Sequence, residues 1–123
     1  PTLREADGLA LSSRNAYLGA ATRPQALCLF RALGAAERAV AAGERSRDAL
    51  LQLVRGEIEK SPLADLDYAE LRAPASLELA PETLASPTLL ALAVRFPRDG
   101  GQGGRNVRLI DNRVLLPQLR KEE

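Results

Sequence analysis

The 123-residue sequence predicts an α+β fold, with a helix pair packed on a small three-stranded antiparallel sheet. Three observations predict it. Residues 22–60 carry apolar side chains at helical spacing, broken near Gly43. Residues 66–116 then hold three short strand-like segments instead. The last two of these are joined by a short, glycine-rich link, which suits antiparallel neighbours. A chain of this length is about one domain and can bury a sizeable core without disulfide or metal staples.

The elements follow in order. Residues 1–4 read as an extended segment and residues 5–15 as a loop or irregular turn hinged at Gly8. Thr22-Arg23-Pro24-Gln25 fits a capping box, with proline tolerated in the first helical turn. Leu27, Phe30, Leu33, Ala36 and Val40 continue that helix, and Gly43 is its expected stop. Ser46 is the next N-cap candidate, with Asp48 favourable at the positive helix end. Leu50, Leu51, Val54 and Ile58 form the second apolar stripe, and Ser61-Pro62 ends it. Two helices joined through residues 43–45 form an expected antiparallel pair.

Residues 66–71 read as a strand ended by Pro74. Residues 77–85 are ambiguous, a short helix or a loop with a helical turn. Residues 88–96 are almost wholly apolar, which suits a central strand. Residues 99–104 form a connector, and residues 107–116 are the third strand. Gly100-Gly101-Gln102-Gly103-Gly104 has no Lys-Ser/Thr after it and no helix pattern, so it reads as a link, not a P-loop. The charged end at residues 120–123 is expected to fray.

Composition excludes several chemistries. The sequence has no histidine, so no Ser-His-Asp triad, Cys-His pair or His-containing zinc site can form within it. Its one cysteine, Cys28, lies in an apolar helical pattern and is expected to be a buried thiol. A net charge of +1 and an aromatic content of 3% point away from nucleic acid as a partner. No apolar run reaches about 18 residues, so no membrane partner and a soluble, cytoplasmic chain are expected. The sequence begins at Pro1 and lacks methionine, so it is expected to be a piece of a longer protein.

One stretch concentrates donors for an anion. After Gly8 come Ser12, Ser13, Arg14 and Asn15: two hydroxyls, a guanidinium and an amide. Backbone N–H groups of the serines can share one concavity, and a planar guanidinium can hold two phosphate oxygens. On composition alone the plainer alternative carries more weight. There, Ser12 or Ser13 caps a helix and Arg14 is solvated. Other polar groups read as structure. Asp67 and Glu70, three apart on a strand, are expected on opposite faces and so not as an acid/base pair. Asp111-Asn112 is expected to make a turn or strand-end hydrogen bond.

Three segments together carry a family resemblance. Arg4-Glu5-Ala6-Asp7-Gly8-Leu9-Ala10-Leu11-Ser12-Ser13-Arg14-Asn15-Ala16-Tyr17-Leu18 resembles the opening of the C-terminal domain in the pantothenate synthetase (pantoate–β-alanine ligase) family. Asp67-Tyr68-Ala69-Glu70-Leu71-Arg72 resembles that family's Asp-Tyr-x-Glu-Leu-Arg strand. Arg108-Leu109-Ile110-Asp111-Asn112 resembles its Arg-Leu-Ile-Asp-Asn segment. The three occur in the family's order over nearly the whole chain. Two departures stand out: Leu11 replaces a common methionine, a swap close in volume, and the connector at residues 99–104 is richer in glycine.

The resemblance implies a function. The family condenses pantoate with β-alanine to pantothenate, through a pantoyl adenylate, releasing AMP and pyrophosphate. Residues 1–123 would be the hinged C-terminal lid domain. The Rossmann-like nucleotidyltransferase domain, with its His-x-Gly-His motif, pantoate pocket and most β-alanine contacts, would lie outside this chain. ATP with Mg²⁺ is the implied nucleotide. Leu11, Ser12, Ser13 and Arg14 match the ATP-contacting run, with the serines on the β- and γ-phosphates and Arg14 on the departing pyrophosphate. Leu3 matches a position where the backbone approaches adenine. No residue here is an implied general acid, base, nucleophile or metal ligand. The fragment is expected to be inactive and monomeric alone, and the intact enzyme a homodimer through its N-terminal domain. The rival expectation is a non-catalytic protein-interaction module that keeps the lid fold.

Overall fold

A computed structural model describes residues 3–10, 12, 15, 18, 22–97 and 106–117. In chain order the elements are α1 (Arg23–Ala26), α2 (Cys28–Ala41), α3 (Arg47–Glu59), β1 (Asp65–Arg72), β2 (Thr88–Pro97) and β3 (Asn106–Leu115). The sheet order is β1-β2-β3, antiparallel throughout. Helix α3 packs on β1 and helix α2 on β3 and β2, with α2 and α3 against each other. The predicted two-layer α+β arrangement is the observed one.

Alternation along the strands explains the layers. On β3, Val107, Leu109, Asp111 and Leu115 are buried, while Arg108, Ile110, Asn112 and Val114 are exposed. On β2, Leu90, Leu92, Val94 and Phe96 face the helices and are at most 1% exposed. The helices meet them with Leu29, Leu33, Leu50, Val54 and Ile58, and these side chains form one core. Burial of this apolar surface is what holds helix and sheet together.

The helix ends follow their local chemistry. Gly43, at φ 113°, closes α2 as a Schellman motif: its N–H donates to Val40 O at 3.0 Å and Glu44 N–H donates to Ala39 O at 2.9 Å. At α3, Ser46 Oγ accepts from Ala49 N–H at 3.1 Å, as expected of an N-cap.

Several expectations are corrected. Thr22 does not cap: it has helical φ −86° and ψ −37°, and its side chain makes no cap hydrogen bond. Pro24 has no N–H at that turn, and Gln25 instead accepts Leu63 N–H at 2.7 Å, tying α1 to the start of the sheet. The helix predicted from Thr22 is interrupted at Leu27, whose N–H reaches back only three residues, to Pro24 O at 3.3 Å. Residues 77–85 form no helix. Their backbone runs beside β1 and the start of α3, with Ala80 N–H on Leu71 O and Arg47 N–H on Glu82 O. Ala80 and Leu84 plug the core from this strap.

Residue 67 brings a further correction. The register shifts between Leu66 and Tyr68, a β-bulge that leaves Asp67 without a strand partner. The extra residue reverses the alternation, so Asp67 and Glu70 share the outer face of the sheet. They still form no acid pair. Asp67 binds Arg108 Nε at 2.8 Å and Arg95 Nη1 at 3.1 Å, and Glu70 binds Arg72 Nε at 3.0 Å. The Arg108 hydrogen bond, with help from Arg95, holds the Asp67 carboxyl below its ordinary range. The connector at residues 99–104 and the charged end at residues 120–123 lie outside the described residues.

Candidate functional site

The site is built where the N-terminal loop meets α2 and β3. Residues 4 and 10 pair as an isolated antiparallel bridge. Between them the chain reverses, with Glu5 N–H on Leu9 O at 2.8 Å and Gly8 N–H on Glu5 O at 2.9 Å. The reversal needs Gly8. Its φ is 102°, and a Cβ there would lie 2.6 Å from Phe30 Cδ2. Leu9, 3% exposed, then enters the core and fixes the loop by burial.

Charge completes the attachment. Arg4 binds Asp111 through both arms of its guanidinium: Nη1 donates to Oδ2 at 2.7 Å and Nη2 to Oδ1 at 2.9 Å. Arg4 Nη1 also donates to Gly8 O at 2.9 Å, and Asp111 accepts a third bond from Asn112 N–H at 2.8 Å. Asp111 lies mid-strand, paired with Leu92, and points into the core, so the expectation of a turn or strand-end role is corrected. Two guanidiniums lie over the Phe30 ring, Arg4 at 5.2 Å and Arg113 at 5.5 Å from its centroid.

The far end of the loop is clasped by Asn15. Its Nδ2 donates to Glu5 Oε2 at 2.7 Å and to Ala10 O at 3.0 Å. Glu5 also pairs with Arg23, which reaches Asp7 at 3.2 Å. Residues 10 and 15 are therefore bound to each other.

Of the sequence-predicted site residues, Ser12 and Leu3 are described. Ser12 is half-buried and lines a small recess with Leu9, Ala10, Leu29, Leu109, Ile110 and Asp111. Its carbonyl accepts Asn15 N–H at 3.1 Å. Leu3 is 73% exposed, which suits a residue whose expected contribution is its backbone. Leu11, Ser13 and Arg14 lie outside the described residues. The arginines around the loop each hold a carboxylate: Arg4 with Asp111, Arg23 with Glu5 and Asp7, Arg113 with Glu37.

Residue-level reasoning missed the Arg4–Asp111 pair. The available signal was phase. Asp111 falls on the same alternation as Val107, Leu109 and Leu115, so it had to enter the core and find a cation there. Cys28 behaves as expected: it is buried and free, and desolvation pushes its thiol up from 9.0 to about 11, against smaller opposing contributions from Ser61 and Arg31. Among the described residues no cluster of histidine, cysteine, aspartate and glutamate could hold a metal ion, and no helix is long and apolar enough to cross a membrane.

Known proteins resemble the chain over nearly its whole length. The family model described as pantoate-beta-alanine ligase matches residues 1–114. The pantothenate synthetase of Geobacillus thermodenitrificans is 47% identical over 125 residues, covering 100% of this chain and 40% of that protein. The pantothenate synthetase of Desulfatibacillum aliphaticivorans is 45% identical, over 95% of this chain and 38% of its own length. The crystal structure of pantothenate synthetase from Thermus thermophilus superposes with a TM-score of 0.81 at 35% identity, covering 95% of this chain and 39% of that one. The chain thus spans about two fifths of the length of these relatives, 40% and 38% of the two curated ones.

Proposed function

The chain belongs to the pantoate-beta-alanine ligase family, and on that premise we propose that it is the lid half of the ligase's ATP site. Residues 1–123 act as the C-terminal domain of a cytoplasmic enzyme that joins pantoate and β-alanine. In the first step a pantoate carboxylate oxygen attacks the α-phosphate of ATP, forming pantoyl adenylate and releasing pyrophosphate. In the second, the β-alanine amine displaces AMP. The carboxylate, the amine and their pockets belong to the remainder of the ligase.

This chain acts on the leaving group. The hydroxyls and N–H groups of Ser12 and Ser13 bind the β- and γ-phosphates, with Leu11 in the same run. The Arg14 guanidinium takes the charge that develops as pyrophosphate departs. The Leu3 backbone lies along adenine. Mg²⁺ would come with the nucleotide, and among the described residues no cluster of histidine, cysteine, aspartate and glutamate could hold it.

One observation supports the proposal: Asn15 Nδ2 donates to Ala10 O at 3.0 Å, so the two residues that border the matched run are joined to each other. The surrounding arginines support the role given to Arg14. Among the described residues, Arg4, Arg23 and Arg113 each pair with a carboxylate.

The test is a titration of the ¹⁵N-labelled chain with MgATP and with pyrophosphate. Amide shifts centred on residues 11–15 are expected. Shifts elsewhere, or none at millimolar ligand, would favour the protein-interaction module instead. A companion assay mixes ATP, pantoate and β-alanine with this chain alone. No AMP should form, and turnover would refute its assignment as a half-site.

A further inference from the structure

We propose that the outer face of the sheet is the surface against which the rest of the ligase packs. This rests on the half-site role proposed above, since it names what lies against that half.

The face is unlike an ordinary wet sheet surface. An antiparallel sheet with one solvated side alternates apolar residues inward with polar residues outward. Here the outward positions of β2 are Leu89, Ala91, Ala93 and Arg95, and β3 sets Val114 beside Leu89 and Ile110 beside Ala93. Ile110 is 53% exposed, Val114 42% and, just past the strand, Leu116 61%. These are three of the seven exposed large hydrophobic side chains among the described residues, whereas the helices contribute only Leu53. The exposed positions of the helix layer include Arg31, Glu37, Arg38, Arg55 and Glu59. The helix layer therefore suits water, and the sheet face suits a partner.

Charge gives that partner its sign. Arg95 and Arg108 stand directly opposite each other on β2 and β3, an arrangement that repels. The bulge at Asp67 offers one carboxylate to both, at 3.1 and 2.8 Å, and Arg108 lies over the Tyr68 ring, 5.6 Å from its centroid. Two guanidiniums on one carboxylate leave a net positive charge, and their side chains stay 41% and 45% exposed. The complementary surface is apolar, with an acidic group facing this pair.

Position and length identify the partner. Ile110 belongs to the outer face and also lines the recess that Ser12 lines, so the face begins where Ser12 stands. Whatever completes an ATP site around Ser12 also comes up against Ile110. The chain spans 40% and 38% of the length of two curated relatives, and the larger remaining part of such a ligase must supply those contacts.

The experiment uses a full-length pantoate–β-alanine ligase carrying this sequence, with Ile110→Cys and, as the reference on the exposed side of α3, Gln52→Cys. Each is treated with a maleimide in the presence of MgATP and pantoate, and mass spectrometry follows modification of each peptide separately. Position 110 should react at least about tenfold more slowly than position 52, because it reacts only when the covering surface opens. Adding Arg95→Glu, which sets like charge against an acidic partner, should speed the reaction at position 110 by at least about threefold, and Arg95→Gln should do so by less. Benzoylphenylalanine at position 110 should photocross-link to a peptide of the same chain outside residues 1–123.

Equal rates at positions 110 and 52 would overturn the proposal, as would cross-links confined to residues 1–123 or joining two copies of the chain. Unchanged protection in both Arg95 variants would overturn the acidic character of the partner. The two proposals fail separately. If Ser13→Ala and Arg14→Ala leave ATP kinetics unchanged while position 110 is protected, the phosphate role falls and the packing face stands. If those variants impair the enzyme and position 110 is unprotected, the packing face alone is overturned.

Discussion

Replacing Gly8 with alanine should destabilise the domain by roughly 2–5 kcal/mol, from two separable causes. The first is backbone. Gly8 has φ 102°, and an L-residue forced to positive φ loses about 1–2 kcal/mol. The second is steric. The added Cβ would lie 2.6, 2.8 and 2.9 Å from three atoms of the Phe30 ring. The Arg4 and Arg113 guanidiniums over that ring, at 5.2 and 5.5 Å, oppose its moving aside. Overpacking of this kind costs about 1–3 kcal/mol. Urea unfolding followed by circular dichroism measures the sum, and in a thermal melt of a domain of this size the Tm should fall by roughly 6–30 °C. A double-mutant cycle isolates the steric part. Phe30→Leu makes room for the methyl group but leaves φ unchanged, so the double variant should be about 1 kcal/mol or more better than additive. A loss below about 1 kcal/mol, or strict additivity, would refute this account of the loop.

Two other glycines should respond with opposite signs. Gly56, inside α3 with nothing within 4 Å of an added Cβ, should gain about 0.5–1 kcal/mol as Gly56→Ala, whereas Gly43→Ala should lose about 1 kcal/mol at φ 113° despite equally open space. Equal signs in denaturant midpoints would contradict the Schellman assignment. Leu92→Ala, fully buried in the central strand, should cost about 3 kcal/mol in the same assay, and a cost under about 1 kcal/mol would place Leu92 outside a close-packed core. Burial raises the Cys28 thiol from 9.0 to about 11, so its contribution is whole below pH 9 and lost as pH rises through 11. The loss is on the order of 3 kcal/mol, and Cys28→Ala should remove that part of the alkaline decline; an unchanged decline would reject the buried thiol as its source.

Much of the fold was legible in the sequence. Three strands and two principal helices followed from apolar period, and the Gly43 stop and the Ser46 cap followed from residues next to each other in the chain. The turn at Gly8 was also visible, because glycine is the residue that its positive φ favours. What stayed hidden was long-range. The Leu27 break came from a proline turn that also ties Gln25 to Leu63, and the strap at residues 77–85 took its hydrogen bonds from Leu71 and Arg47 instead of from itself. The bulge at Asp67 put two carboxylates on one face against strict alternation.

The sharpest contrast is Asp111. Its sequence position marks it as core-facing, but its partner Arg4 lies 107 residues away, and no local pattern names it. Sequence by itself determined the three strands, the two principal helices and most of their buried faces, because those depend on period and on adjacent chemistry. Only the tertiary structure decided how the loop is held to β3, because a buried charge must be met by whatever cation the folded chain brings within hydrogen-bond reach.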